Sequence, residues 1–252
     1  MEKIKRLRKF FKNEKIDGYL ISKNDEFFGE YIPEYNDRLK YISNFSGSYG
    51  FSLILKNQNY LFVDGRYTLQ AENQCGKFFK IVTFPDKLPS DILKNKKLSI
   101  GYDPKLFTRK VINYFFGKNN CKFIPLKLNL IDKIWKRNLQ SNNDKFYTLP
   151  NFSVGSNYTT KINRIVSYLK DKKADYQLIT ASENNAWLLN LRGRDTKYTP
   201  IPYSYILIDK NKNLKFFCDL KKISPSLKKK FKEVEFSKLN TIGIVLSKIK
   251  RK

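Results

Sequence analysis

The most constraining feature of this sequence is a pattern that occurs twice in the same order. Near the start, apolar residues at helical spacing are followed by Asp17 and the apolar run 19–21. The same succession returns with Asp175 and residues 178–180, which match Asp17 and residues 20–22 at a constant offset of 158. In both halves two further apolar runs follow, joined by a short polar turn, which is typical of a β-hairpin. We interpret the pattern as an internal duplication, which predicts two similar α/β domains in tandem.

The boundary between the copies falls where polar residues, Pro150 and Gly155 interrupt the apolar periodicity. We expect a first domain over residues 1–140, a linker over 141–156 and a second domain over 157–252. Each domain is predicted to be a mixed β-sheet flanked by helices, so the fold class is α/β. The second copy has few strand patterns after its hairpin and closes on a predicted basic amphipathic helix. It is therefore expected to be C-terminally incomplete.

The chain contains no histidine. This excludes Ser-His-Asp and Cys-His relays, imidazole metal ligands and imidazole proton shuttles. Cys75, Cys121 and Cys218 are widely spaced and odd in number, so they predict free thiols rather than a disulfide framework or a zinc knuckle. No stretch approaches the roughly twenty apolar residues of a membrane span, and the start has no apolar signal core. We expect a cytoplasmic protein with no membrane span.

The net charge of +27 admits two interpretations. A strongly basic chain can bind the phosphates of nucleic acid or an anionic membrane surface. The lysines are instead spread along the whole chain, which favours a lysine-coated surface without a dedicated binding face. The clusters at residues 221–222, 228–230 and 248–252 lack the interleaved aromatic residues of a single-strand binder. A basic binding module is therefore kept as the alternative function, and a nucleic-acid partner is not favoured.

Four segments in order resemble one known family. They are DRLKYISNFSGSYG at 37–50, YLFVDGRYTLQAE at 60–72, LIDKIWKRN at 130–138 and ENNAWLLNLRGRDTKYTPIPYSYILI at 183–208. Each is similar to a segment of the two N-terminal domains of Xaa-Pro aminopeptidase (aminopeptidase P), in the creatinase/prolidase superfamily. One such motif has low specificity. Four in the correct order, covering nearly the whole chain, identify it with the creatinase-type N-terminal domains of this family.

The resemblance implies a three-domain metallopeptidase that releases an N-terminal residue preceding proline. In that family a third, pita-bread domain holds two divalent metals, usually manganese, through two Asp, one His and two Glu. None of those ligands can be assigned in this sequence, so we expect no catalytic, cofactor-binding or metal-binding residue here and no activity from this chain alone. The expected role is oligomerisation, as a homodimer, and restriction of the substrate cleft. The missing catalytic domain is the expected partner, and short Xaa-Pro peptides are substrates only of the full enzyme.

Two motifs of the first domain have alternative interpretations. In the FSGSYG loop, Gly47 and Gly50 permit positive φ, which favours a structural turn, with an anion-binding nest as the alternative. Asp64 is predicted to cap the helix that follows it. Arg66 either pairs with a carboxylate of its own chain or projects towards a neighbouring subunit's cleft. Arg66 and Tyr67 are therefore candidates for an indirect role at a cleft rim or subunit contact.

The second domain supplies the other candidates. Trp187 and the leucines that follow it are predicted to pack in the core as a buried strand or helix end. Arg192 and Arg194 lie just beyond, where the chain is expected to turn outward. These two arginines are candidates for the rim of the substrate entrance, with ordinary surface positions as the alternative.

Overall fold

The computed structural model describes residues 1–117, 119–137 and 142–249 of the 252-residue chain. The chain divides into two compact units, Met1–Gln140 and Ser141–Lys252. Each unit has its own mixed β-sheet and its own hydrophobic core. The predicted fold class, α/β with sheets flanked by helices, is confirmed.

The first unit is built on a six-stranded sheet with the strand order β4-β3-β2-β1-β5-β6. Its strands are β1 (Gly18–Ser22), β2 (Gly50–Leu55), β3 (Asn59–Asp64), β4 (Lys80–Phe84), β5 (Ser99–Tyr102) and β6 (Lys122–Pro125). Its helices are α1 (Glu2–Arg8), α2 (Arg38–Ser43), α3 (Thr68–Cys75), α4 (Pro89–Ile92), α5 (Arg109–Phe116) and α6 (Leu130–Ile134).

Strand β1 lies inside this sheet, antiparallel to β2 and parallel to β5. All five of its residues are buried, which explains why it is a continuous apolar run rather than an alternating one. Tyr19 and Ile21 pack in a core cluster shared with α1, α2 and α6. Leu20 packs in a second cluster that includes α5, with Ile92 of α4 against it. The sheet is thus covered on both faces, and the predicted β2–β3 hairpin is confirmed.

The second unit has a four-stranded sheet with the order β12-β11-β10-β8 and a separate two-stranded pair, β7-β9. Its strands are β7 (Tyr147–Thr148), β8 (Tyr176–Ile179), β9 (Leu191–Arg192), β10 (Tyr205–Asp209), β11 (Leu214–Cys218) and β12 (Val234–Lys238). Its helices are α7 (Tyr158–Asp171), α8 (Ser182–Leu188), α9 (Pro225–Lys230) and α10 (Ile242–Ser247). The predicted β10–β11 hairpin is confirmed.

A pair of equivalent contacts supports the internal duplication. In the first unit Lys56 N donates to Asp17 O at 3.2 Å, and its Nζ lies 2.5 Å from Asp17 Oδ1. In the second unit Lys210 makes the same two contacts with Asp175, at 3.0 Å and 2.7 Å. Each Asp directly precedes the first strand of its sheet, and each Lys directly follows the antiparallel neighbour. The two sheets therefore begin with the same strand pairing, held by the same ion pair.

Two segments differ from the sequence-based expectation. Part of the predicted linker 141–156 is folded, because β7 pairs with β9 and Phe146 is buried in the core of the second unit. The single amphipathic helix predicted over 239–249 is a 3-10 turn, Leu239–Thr241, followed by α10, which has no buried residue. In the first case the stretch mixes apolar with polar residues, and Phe146 packs in the core. In the second, Ile242, Val245 and Leu246 are half-buried and Ile244 is exposed, so the helix lies at the surface and adds nothing to the core.

Trp187 does not pack in the core as predicted. Its neighbours Leu188, Leu189 and Leu191 are buried, but the Trp187 side chain is 55% exposed. Successive side chains of a helix point in directions about 100° apart, so Trp187 faces outward while Leu188 of the same helix faces the core. There the Nζ of Lys161 lies 4.3 Å from the centroid of the indole ring and donates to Trp187 O at 2.7 Å.

Candidate functional site

The FSGSYG loop and the DGRY segment of the first unit lie together at the start of α3. Ser48 Oγ and Tyr67 Oη are 2.6 Å apart, within hydrogen-bond distance. Gln70 Nε2 and Gln74 Nε2 both donate to Ser46 Oγ at 2.9 Å, and Gln74 Oε1 accepts from Ser46 N at 3.0 Å. Two motifs that are separate in the sequence thus form one hydrogen-bonded surface.

The glycines of this loop are required for close packing and not for backbone conformation. Neither Gly47 nor Gly50 has positive φ, so that part of the prediction is wrong. A Cβ at Gly47 would lie 2.3 Å from Cζ of Phe45, whose ring is fully buried beneath the loop. A Cβ at Gly50 would lie 2.9 Å from Phe62 O on the neighbouring strand. The loop therefore acts as a structural turn that closes over an aromatic ring.

Arg66 makes a bidentate ion pair with Asp64, two residues earlier. Its Nε lies 2.9 Å from Asp64 Oδ1 and its Nη2 lies 3.0 Å from Oδ2. The Asp64 carboxylate also accepts from Arg66 N at 2.8 Å, which confirms its predicted capping role. These hydrogen bonds lower the pKa of Asp64 below its ordinary value. The pair is at the surface, with the arginine side chain 74% exposed.

Tyr67 is held between the loop and the arginine. Its ring makes an edge contact with Phe45 at a centroid distance of 6.0 Å, and the Arg66 guanidinium lies 5.5 Å from its ring centroid. Its hydroxyl is the one bonded to Ser48. The structure thus brings the side chains of Arg66 and Tyr67 together.

The two candidates of the second unit have different surroundings. Arg192 is half-buried in β9, and its Nη1 donates to Ala186 O and to Leu191 O, each at 3.0 Å. Arg194 has an exposed side chain, and its carbonyl accepts from Asn142 Nδ2 at 2.7 Å. Next to Arg194 in the chain, the Asp195 side chain is 5% exposed, pairs with Lys222 and accepts from Tyr203 N at 2.6 Å. Arg192 therefore orders the backbone, whereas Arg194 is available to solvent.

A buried charge cluster around Arg38 was not predicted as a site. Arg38 is 1% exposed. Its Nε and Nη2 donate to the two oxygens of Asp132 at 2.8 Å and 2.9 Å, and Nη2 also donates to Glu26 Oε1 at 2.7 Å. Arg137 Nη2 donates to Asp132 Oδ2 at 3.0 Å and its Nη1 to Asn36 Oδ1 at 3.0 Å. This network joins α2 to α6 within the first unit.

Burial of the Arg38 guanidinium favours its neutral form, but the carboxylates of Asp132 and Glu26 outweigh that effect and raise its pKa. The guanidinium therefore stays charged at any physiological pH, and each carboxylate oxygen of the cluster accepts from an arginine donor. The cluster is suited to holding two helices together and not to proton transfer.

The donor set of the chain does not fit a dinuclear metal centre. The sequence has no histidine, and within residues 1–117, 119–137 and 142–249 no three His, Cys, Asp or Glu side chains are grouped to hold a metal ion. Asp64 and Asp195, which lie beside the candidate residues, are paired with Arg66 and Lys222, and Asp132 is paired with Arg38. In the same described ranges, no helix is both long and apolar enough to cross a membrane.

Similar proteins agree with this arrangement. The N-terminal domain model of the creatinase/prolidase family matches residues 3–134, and a second model of the same description matches residues 137–252. A Xaa-Pro aminopeptidase of Drosophila melanogaster is 30% identical over 248 residues, covering 93% of this chain and 40% of that protein. A probable Xaa-Pro aminopeptidase P of Laccaria bicolor is also 30% identical, over 82% of this chain and 34% of its own length.

One solved structure shares the fold of the whole chain. It is the X-prolyl aminopeptidase of Caenorhabditis elegans, described as a cytosolic enzyme with a di-nuclear active site. The two superpose with a TM-score of 0.91 at 27% identity, over 98% of this chain and 43% of that one. The chain thus spans about 40% of the length of these relatives, in their N-terminal portion. It belongs to the creatinase/prolidase N-terminal domain family and carries two consecutive domains of that family.

Proposed function

We propose that this chain is the non-catalytic N-terminal portion of a Xaa-Pro aminopeptidase-like metallopeptidase. The parent activity is release of an N-terminal residue that precedes proline. The observation that carries the proposal is the match of two consecutive N-terminal domains to relatives with that activity in their names, in a sequence without histidine. The chain contributes by shape, through oligomerisation as a homodimer and through restriction of the cleft to short peptides.

The exposed arginines are the proposed contact points. Arg66 and Arg194 present solvent-accessible side chains, and Tyr67 fixes the position of the first through ring contact. Arg192 is assigned a supporting role because its guanidinium bonds backbone carbonyls of its own unit. The two divalent metals, for which we propose manganese, belong to the remainder of the enzyme. A cytoplasmic location is proposed by analogy with the C. elegans relative.

The test compares three proteins: this chain alone, the remainder of the Drosophila relative alone, and the two fused. Each is assayed with manganese on Xaa-Pro peptides of increasing length. We expect no cleavage by the chain alone, and in the fusion a preference for short peptides that the remainder alone lacks. Chelator-sensitive cleavage by the chain alone, or the same length preference with and without it, contradicts the proposal.

A basic binding module is the second candidate, supported by Lys228 and Lys229, which are exposed in the last turn of α9. Other lysines of the region are engaged: Lys222 is buried against Asp195, and Lys230 Nζ donates to Thr148 Oγ1 at 2.8 Å. The cluster 248–252 lies largely outside the described residues. Binding of DNA or anionic vesicles that weakens steeply with salt favours this candidate. Absence of binding at low salt removes it.

A further inference from the structure

A groove in the first unit lies beside the turn that follows α1. Its volume is about 530 Å³, which is within the range of small-molecule sites. Phe11 and Ile16, both 2% exposed, form its apolar lining. Its polar lining consists of four cationic side chains and one carboxylate. They are Arg8, Lys12, Lys15, Lys56 and Asp17.

The carboxylate of the groove is already used. Asp17 Oδ1 lies 2.5 Å from Lys56 Nζ, and Asp17 Oδ2 accepts from Ser99 N at 2.9 Å. Glu14, the acidic residue that precedes Asp17 in the chain, pairs instead with Lys133 of α6 at 2.8 Å. Asp17 and Lys56 therefore neutralise each other. Among the described residues, no carboxylate pairs with the other three cations of the groove.

Arg8 is the cation whose position is fixed. Its Nε donates to Leu55 O at 2.9 Å, and its Nη2 donates to Asn59 Oδ1 at 2.8 Å. Both acceptors are neutral, so these bonds orient the guanidinium without compensating its charge. Burial lowers the pKa of Arg8 below its ordinary value, as expected for a half-buried cation without a carboxylate partner. Its Nη1 has no partner among the described residues, so two N–H donors remain for a ligand.

The internal duplication indicates that the fold does not require this arginine. Lys15 and Lys173 correspond at the offset of 158, and they have φ of 53° and 51° in equivalent turns. At the same offset Arg8 corresponds to Val166, which is 3% exposed in the core of the second unit. Valine suffices for packing at this position. The arginine therefore has a different role in the first unit.

The chemistry of the lining defines the class of ligand. An arginine fork binds phosphate oxygens in bidentate geometry, and lysine ammonium groups bind them as point charges. Three uncompensated cations suit a ligand with several negative charges, and the groove is large enough for a chain of phosphate groups. The apolar lining lowers the local dielectric constant and so strengthens the attraction.

We propose that this groove binds a small polyphosphate anion, with the guanidinium of Arg8 as the fixed contact and Lys12 and Lys15 as flexible contacts. The ligand carries consecutive phosphate groups, either as inorganic triphosphate or as the phosphate chain of a nucleotide. The site goes beyond the proposed function, because neither cleft restriction nor oligomerisation uses it.

The experiment titrates the full chain with tripolyphosphate in a calorimeter, at low salt and without other multivalent anions. We expect one ligand per chain. Arg8→Met removes the fixed donors and should weaken binding by roughly tenfold or more. Lys12→Gln with Lys15→Asn should also weaken it, and asparagine tolerates the positive φ of that turn. The matched control, Lys170→Gln with Lys173→Asn, removes the equivalent charges from the second unit and should leave the affinity unchanged.

Titrations with ATP and adenosine distinguish the two sources of the phosphate chain. Tighter binding of ATP than of tripolyphosphate, with no binding of adenosine, assigns the site to a nucleotide. Equal or weaker binding of ATP assigns it to inorganic polyphosphate. Circular dichroism of each variant separates loss of binding from loss of fold. The exposed lysine variants test the site even where Arg8→Met is unfolded.

Several results overturn the inference. One is absence of tripolyphosphate binding at low salt. Another is sulfate binding as tightly as tripolyphosphate, which would indicate an adventitious ion only. Equal losses in the two double-lysine variants would indicate attraction by the net charge of +27 without a defined site. A single-stranded oligonucleotide that binds more tightly and depends on Arg8 would assign the groove to nucleic acid. No peptide cleavage is measured, so a failure leaves the aminopeptidase proposal to the fusion assay described above.

Discussion

Asp132→Asn tests the buried charge cluster that joins α2 to α6. The substitution keeps the shape of the side chain but replaces the carboxylate that pairs with both Arg38 and Arg137. An amide supplies one acceptor oxygen, and its NH₂ group faces the guanidinium donors. Arg38, 1% exposed, then retains Glu26 as its single carboxylate partner in the cluster.

The structure sets the magnitude. Removing one partner of a buried ion pair costs about 3–5 kcal/mol, because the other charge stays buried without compensation. The Asp132 side chain is 28% exposed, so we expect the lower end of the range. A loss of about 3 kcal/mol corresponds to a decrease in Tm of roughly 9 °C for a chain of this size.

The assay uses the two tryptophans, Trp135 in the first unit and Trp187 in the second. In a Trp187→Phe background, the fluorescence of Trp135, whose ring stacks on Tyr41 at 4.7 Å, reports unfolding of the first unit in urea. The control is Asp64→Asn, which alters an exposed bidentate pair of almost the same geometry. Asparagine caps as well as aspartate, so this control should leave the free energy of unfolding unchanged.

The reasoning is refuted if Asp132→Asn lowers the free energy of unfolding no more than Asp64→Asn does. That result would mean that solvent reaches the Arg38 guanidinium and replaces the lost carboxylate. Loss of helical circular dichroism in the Asp132→Asn variant without urea would instead indicate a larger destabilisation than the one calculated.

Three further outcomes are expected. Gly47→Ala should destabilise the first unit by about 1–3 kcal/mol in urea, since its Cβ would meet a phenylalanine ring at 2.3 Å, whereas Gly155→Ala, with no neighbour within 4 Å, should be neutral. Burial raises the pKa of Cys218 to about 12, so a thiol reagent should label the half-buried Cys121 in the native protein and Cys218 only after unfolding. Burial also raises the pKa of Asp25, so its contribution to stability is present below the ordinary carboxyl pKa of about 4 and lost as pH rises through the folded value. Urea unfolding at a series of pH values should show this loss, and Asp25→Asn should remove it.

The sequence predicted the elements whose signal is local. Both hairpins, the strand after Asp17 and the cap at Asp64 follow from apolar runs and turn residues that lie close together in the chain. The duplication was also visible, because its two copies keep the same order and spacing. These features depend on residues that are close together in the chain or that recur in the same order.

The Arg38 cluster could not be predicted in the same way. Its carboxylates come from residues 26 and 132, and nothing in the sequence indicates that α6 returns to α2. The leucines that follow Trp187 predict a core position for it, but one helical step turns its side chain outward. The role of Gly47 depends on the ring beneath it, which is set by the loop closing over Phe45.

The repeated contact between Asp17 and Lys56, and between Asp175 and Lys210, has a consequence for how the chain is made. A slip of one residue between the paired strands would separate these charges and turn the apolar side chains to the wrong face. Each half carries its own copy, so correct alignment in one does not wait for the other. During synthesis the earlier half can reach its final pairing while the later half is still being translated.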